Sequence, residues 1–224
     1  MDKDIVFNNL KKGFGLAKKP LEEGKKVILF MRHSIRPIIH LPSLEVDLTD
    51  EGREFALECG TIFANENVTK LAASSSKRCI TTAEQFKKSI NLDNEIEVSK
   101  LLAGYWVEDT EKWTKAWEES NNNIKQLIDE MVFSQVPGAY SAKESINLLL
   151  NYFFKSNENV PGLEIHVSHD GCIMLLLAYL FNKNVNDINW VDMNDGVYLW
   201  FEENGLHVVY QRVEYTFNID LEYA

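Results

Sequence analysis

Arg32, His33 and Arg36 follow directly on five apolar residues, Val27-Ile28-Leu29-Phe30-Met31. Five apolar residues in a row read as a strand buried on both faces. Such a strand has no reason to end on a guanidinium and an imidazole unless chemistry needs them there. In open α/β sheets, ligands bind at the carboxyl ends of strands. A neutral imidazole is a nucleophile, and arginine's planar fork suits a phosphate oxygen pair. His33 therefore reads as a nucleophile, with Arg32 and Arg36 holding a phosphate against it.

Two further junctions carry groups of the same chemistry. Leu71-Ala72-Ala73 is a short strand, followed by Ser74-Ser75-Ser76 and then Arg78 in the first turn of a helix. Residues 163–168 form another strand, ending at His169-Asp170-Gly171, where a very apolar helix begins. If the strands are parallel, Arg32-His33, Arg78 and His169-Asp170 meet at one sheet edge. His169 would then stabilise charge on the phosphoryl oxygens, and the helix start at Gly171 adds its positive end. A leaving alkoxide needs a proton. Asp170 is the candidate acid provided its pKa is raised, with Glu108 and Asp109 as the other candidates. His166, His169 and Asp170 are close in sequence, but an offset of three puts the two histidines on opposite faces of a strand. No metal and no cofactor are expected.

The elements that position these groups can be read in outline. The polar, basic segment 1–26 suggests a helix on the outside of the domain, with Gly13-Phe14-Gly15 as a flexible turn. Thr49 caps a helix with Asp50 and Glu51 in its first turn. Ile96 and Val98 suggest an edge-like strand. The segment from Gly104 to Pro137 carries Tyr105, Trp106, Trp113 and Trp117, then a helical stripe of Ile124, Leu127, Ile128 and Met131. It reads as an inserted helical lid near 104–160, its aromatics taken as packing. Ser141 and Glu144 form a capping box. Glu202-Glu203-Asn204-Gly205 separates two strand-like runs, a hairpin signal. His40 and His207 carry no signal.

The whole chain of 224 residues reads as one domain, 1–224, of ordinary globular composition, with 45% hydrophobic and 25% charged residues. A formal net charge of −11 argues against nucleic-acid or membrane-surface partners, which select basic faces. A phosphate site in such a chain must concentrate its own arginines. The three cysteines, Cys59, Cys79 and Cys172, are far apart in sequence and lie in apolar helical patterns. That usage fits a reduced, cytoplasmic setting. No apolar h-region follows Met1-Asp2-Lys3-Asp4, and the longest apolar run, Cys172 to Phe181, is too short to span a bilayer.

These motifs together resemble the histidine phosphatase superfamily, the phosphoglycerate-mutase-like family. Arg32-His33-Ser34 stands where the family has Arg-His-Gly. Ile35-Arg36-Pro37 resembles the extension of its acid-phosphatase branch, with the proline one place early. Leu48-Thr49-Asp50-Glu51-Gly52, Ser74 through Arg78 to Thr82-Ala83, and Ser168-His169 fit in order. The likeness runs from about Val27 to Phe181. It implies a three-layer α/β/α fold: a mostly parallel sheet with helices on both faces, the lid, and a C-terminal hairpin. It further implies that His33 is phosphorylated and that Arg32, Arg78 and His169 bind the phosphate. A His-Asp pair supplies the acid in the acid-phosphatase branch, matching His169-Asp170. Smaller members use a glutamate after the third strand, and Leu101-Leu102-Ala103-Gly104 has none. Arg36, Ser34 and Glu108 are the substrate-binding candidates. Ser34 either crowds the site or adds a donor.

The expected activity is a metal-independent phosphatase acting on a small phosphomonoester. The alternatives are a mutase-like phosphotransferase and a catalytically weakened phosphate- or phosphopeptide-binding relative. The expected partner is a small phosphorylated substrate; the sequence does not name it, nor the oligomeric state.

Overall fold

The computed structural model describes residues 1–39, 43–154 and 160–219. His40 lies outside them. In chain order the elements are α1 (Lys3–Glu22), β1 (Lys26–Arg32), α2 (Asp50–Gly60), β2 (Val68–Ala73), α3 (Lys77–Ile90) and β3 (Glu97–Val98). The inserted segment forms α4 (Leu101–Gly104), α5 (Thr110–Glu119) and α6 (Ile124–Phe133), followed by α7 (Ala142–Phe154). Then come β4 (Gly162–Ser168), α8 (Asp170–Phe181), β5 (Gly196–Glu202), β6 (Gly205–Tyr210) and β7 (Val213–Phe217). Among the described residues no helix is long and apolar enough to cross a membrane.

The strands form one sheet in the order β3-β2-β4-β1-β5-β6-β7. β2, β4 and β1 are adjacent and mutually parallel, so their carboxyl ends share one edge. That arrangement is what brings the three junctions together. The other side of the sheet is antiparallel, from β1–β5 through β5–β6 to β6–β7. The expected α/β layering holds, but the sheet is mixed rather than mostly parallel, because β7 extends the expected hairpin. Its turn is Gln211-Arg212, both at positive φ (47° and 65°). Asn-Gly normally signals that geometry, so the sequence gives little warning of this turn.

β1 explains why both faces need helices. Ile28 and Phe30 belong to the apolar cluster that holds α6, α7 and α8. Val27, Leu29 and Met31 belong to the cluster with α1, α2 and α3. Burying a side chain such as Phe30 stabilises the fold by about 1.5–3 kcal/mol, so moving β1 by one residue would break both layers at once. The Phe30 and Phe153 rings meet edge to face, with centroids 5.2 Å apart. α7 is thus part of the core layer, opened by the Ser141–Glu144 capping box: Glu144 N–H donates to Ser141 Oγ and Ser141 N–H to Glu144 Oε2. Residues 155–159, within the expected lid, lie outside the described residues.

Gly13-Phe14-Gly15 is not a turn. It lies inside α1, and a Cβ on Gly13 would press against the Tyr198 ring of β5. The glycine serves close helix–sheet approach.

Candidate active site

His33 lies just beyond β1, where its backbone N–H donates to Ser168 O (3.0 Å) and continues the β1–β4 ladder. Its side chain is buried. Nδ1 sits 2.7 Å from the Ser34 carbonyl oxygen. A carbonyl only accepts, so Nδ1 carries the proton and Nε2 keeps its lone pair. Arg78 Nε donates to that lone pair at 3.2 Å. Burial first, then the neighbouring His169, hold the His33 pKa well below its ordinary value. The imidazole is therefore neutral near pH 7.

Arg78 comes from the first turn of α3, two residues past its Ser76 N-cap, and is buried. It also donates through one terminal nitrogen to Ser43 O (3.0 Å) and through the other to His169 Nδ1 (3.3 Å). His169 Nδ1 is then an acceptor, and Nε2 donates to Ser74 Oγ at 2.9 Å. Burial and the Arg78 charge lower the His169 pKa to about 3. The two histidine rings lie 5.6 Å apart, centroid to centroid. Residues distant in sequence thus share one cationic floor.

Arg32 completes it. One terminal nitrogen donates to Val191 O (2.9 Å) and the other pairs with Asp170 Oδ2 at 2.8 Å. Each keeps a second N–H. Asp170 accepts two further bonds: Trp190 Nε1 donates to Oδ2 (3.2 Å) and Gly171 N–H to Oδ1 (2.9 Å). Burial pushes this carboxyl up, but the Arg32 charge and these donors outweigh it and leave its pKa below the usual value. The raised pKa that the role of acid requires is not found in the resting site. Arg36 is half-buried beside the floor, one terminal nitrogen donating to Pro37 O at 2.8 Å.

Two sequence candidates fall outside this arrangement. Ser34 is fully buried, and its hydroxyl donates to Gly52 O (2.7 Å) and accepts from Asn194 Nδ2 (2.9 Å). Its N–H donates to Thr82 Oγ1 at 3.0 Å. Ser34 therefore ties β1 to α2, α3 and the loop before β5. It neither crowds the cavity nor lends it a donor. The Thr49 and Gly52 positions of the motif have the same structural purpose. Thr49 Oγ1 caps α2 by accepting from Gly52 N–H, and a Cβ on Gly52 would strike the Ile35 carbonyl. Glu108 is exposed in the loop before α5, its N–H donating to Gly138 O, and it does not line the cavity. Asp109 is the N-cap of α5. His166 points away from the site, 2.9 Å from Glu164 Oε2 and flanked by Tyr152 and Phe153. No cluster among the described residues has the make-up of a metal site.

A cavity of about 360 Å³ opens over the floor. Arg32, His33, Arg36, Arg78, His169 and Asp170 line one part of it. Trp106, Trp113 and Trp117, for which the sequence favours packing over a substrate-stacking role, line another with Ile124 and Leu44. Trp106 and Trp113 do pack on each other, edge to face at 5.7 Å, yet both also reach the cavity. The i, i+4 spacing of Trp113 and Trp117 places them on one face of α5, which was the available signal. Ala103, from the stretch that lacks the family's glutamate, also reaches the cavity. Ser74 was part of a recognised motif, but its contact with His169 could not be read from spacing.

The parallel strand ends thus bring paired histidines and converging arginines to one edge of the sheet. The profile of the histidine phosphatase superfamily (branch 1) matches residues 28–214, and the chain belongs to that superfamily. Among solved structures, it is similar to a phosphoserine phosphatase mutant from Entamoeba histolytica, with 17% identity and a TM-score of 0.56, covering 86% of this chain and 96% of that one. It is similar to phosphoglycerate mutase from Bacillus anthracis, with 14% identity and a TM-score of 0.54, covering 89% and 96%. A mycobacterial glucosyl-3-phosphoglycerate phosphatase complexed with VO3 has 16% identity and a TM-score of 0.53, covering 77% and 92%. At these identities the likeness is one of fold. No curated protein matches the chain significantly.

Proposed function

We propose that this protein is a phosphatase that hydrolyses a small phosphomonoester through a phosphohistidine on His33, without a metal. The observation that carries the reading is the His33 tautomer. Nδ1–H is held by the Ser34 carbonyl, and the Nε2 lone pair accepts the Arg78 Nε–H at 3.2 Å, a donor that turns to a phosphoryl oxygen when substrate arrives. A phosphoryl group seated on the floor meets that lone pair. The unused N–H groups of Arg32 and Arg78, with Arg36 beside them, receive its oxygens and take the place of a metal clamp.

When Nε2 bonds to phosphorus, the P–O ester bond breaks with its electron pair leaving on the ester oxygen, and positive charge develops on the imidazole. The Nδ1–H donation to Ser34 O strengthens with it. His169 Nδ1 accepts from Arg78 and its Nε2 donates to Ser74 Oγ, so this ring steadies the guanidinium that meets the phosphate. In the second step water adds to phosphorus, the P–N bond breaks and its electron pair returns to Nε2. Asp170 is here a positioning residue: it orients Arg32.

Turnover of a panel of phosphate esters in the presence of a chelator, assayed for free phosphate and for isomerised ester, tests this reading. Free phosphate is expected. An isomerised ester as the main product would make the protein a phosphotransferase. Loss of turnover on chelation, restored by a divalent cation, would refute the metal-free scheme.

A further inference from the structure

We infer that the site takes aryl phosphomonoesters, whose leaving group is a flat aromatic alkoxide that departs without receiving a proton from the protein. The inference rests on the phosphohistidine reading and names its substrate class.

The first support is the state of the potential proton donors. Among the described residues Asp170 is the one carboxylate lining the cavity. Its Oδ2 accepts from both Arg32 and Trp190 and its Oδ1 from Gly171 N–H, an ion pair and donor set that favour the ionised carboxylate over a proton-carrying one. Glu108 lies exposed away from the cavity. Ala103, which carries no titratable group, occupies another part of the cavity wall. An alkoxide comparable in basicity to hydroxide, with a conjugate acid near 15.7, leaves poorly without a proton. A phenolate, with a conjugate acid of about 10, is far better able to leave as the anion.

The second support is independent. The wall is largely aromatic: Trp106, Trp113 and Trp117 with Ile124 from the inserted segment, and Leu44 from the loop after β1. With the phosphate on the cationic floor, the remainder of the substrate meets these indoles. Aromatic pairs gain from edge-to-face and offset stacking beyond the area they bury. A cavity of about 360 Å³ is within the range of small-ligand sites. A flat ring bonded directly to the phosphate oxygen satisfies the wall and the leaving-group requirement together.

The step balances without an added donor. The Nε2–P bond forms and the P–O(aryl) bond breaks. Its electron pair stays on the phenolate oxygen, which is protonated by solvent after release. Water then adds to phosphorus, the P–N pair returns to Nε2, and the product leaves as hydrogenphosphate with one proton released.

The experiment compares kcat/KM for substituted phenyl phosphates of graded leaving-group pKa with that for glycerol 2-phosphate, following the His33 phosphoenzyme in parallel. Aryl esters are expected to exceed the alkyl ester by at least about 100-fold, with rates falling steeply as leaving-group pKa rises. Asp170→Asn should slow every ester by a similar factor and leave that slope unchanged, as a positioning residue does. Ala103→Glu should narrow the aryl–alkyl gap by supplying an acid. Equal turnover of alkyl and aryl esters, a flat slope, or an Asp170→Asn defect confined to esters of high leaving-group pKa would overturn the inference while leaving the phosphohistidine intact. No His33 phosphoenzyme from any ester would overturn the function itself, and this inference with it.

Discussion

The cationic floor and the aromatic wall face one cavity but are built in opposite ways. The floor comes from three strand-to-helix junctions on a rigid parallel edge, and each of its side chains is held by named hydrogen bonds. Arg78 spends all three nitrogens on His33, Ser43 and His169; Arg32 is pinned between Val191 and Asp170. The wall comes from short helices of an insertion, and its indoles are placed by packing, Trp106 against Trp113 and Tyr105. Hydrogen-bonded charge at a strand end defines where phosphorus sits and which atom attacks it. Packed aromatics define what else can enter. Changes to the floor should therefore act on the chemical step, and changes to the wall on substrate preference.

The largest effect expected is on the floor. His33→Ala should reduce kcat by about 10⁴-fold or more, since it removes the attacking atom; residual turnover within tenfold of the native rate would break the division. Next, Arg78→Ala should lower kcat by about 10²–10³-fold, the usual cost of removing a transition-state donor. Arg78→Lys should recover little of it, because one ammonium nitrogen cannot stand in for the planar fork whose separate nitrogens reach His33, Ser43 and His169. On the wall, Trp113→Ala should raise KM by about tenfold with kcat within a few-fold, as loss of uniform binding does. A matching fall in kcat would instead place the indole in the chemistry.

The same contrast has a pH signature. Burial lowers the pKa of both floor histidines, that of His169 to about 3. Below about pH 6.5 the unfolded chain gains protons at these residues that the folded chain does not. Their neutral burial is therefore neutral to stability above that pH and increasingly destabilising as pH falls from 6.5 towards 3. Thermal melts between pH 7.5 and 4.5 should show Tm falling, with His169→Asn reducing the slope. A slope that His169→Asn leaves unchanged would mean that the ring is not buried neutral. The smallest effect belongs to Ser34→Gly: loss of two hydrogen bonds should cost about 1–3 kcal/mol of stability, with kcat/KM nearly unchanged because the hydroxyl faces the protein. A large gain in activity would show that the serine does crowd the phosphate.

The floor was legible in the sequence because strand ends announce themselves. An apolar run that stops at Arg32-His33, and a strand pattern that stops at His169-Asp170, are local patterns, and parallel packing of β1, β4 and β2 puts their carboxyl ends on one edge whatever the length of the crossovers between them. What spacing did not supply were the partners: Asp170 is paired with Arg32, and the hydroxyl of Ser34 is claimed by Gly52 and Asn194 rather than by the cavity. The wall was legible as helices and not as a site, since an indole that packs and an indole that lines a cavity have the same spacing. β7 was missed because residues 211–212 make a tight positive-φ turn without glycine or asparagine.

The central claim is that His33 attacks through Nε2 while Nδ1–H stays bonded to the Ser34 carbonyl. Brief reaction with a phosphate ester, an alkaline quench that preserves phosphohistidine, and assignment of the modified nitrogen by ³¹P–¹⁵N correlation tests it directly. The account predicts one phosphoryl group, on Nε2 of His33. Phosphate on Nδ1, on His169 or on a hydroxyl would contradict it.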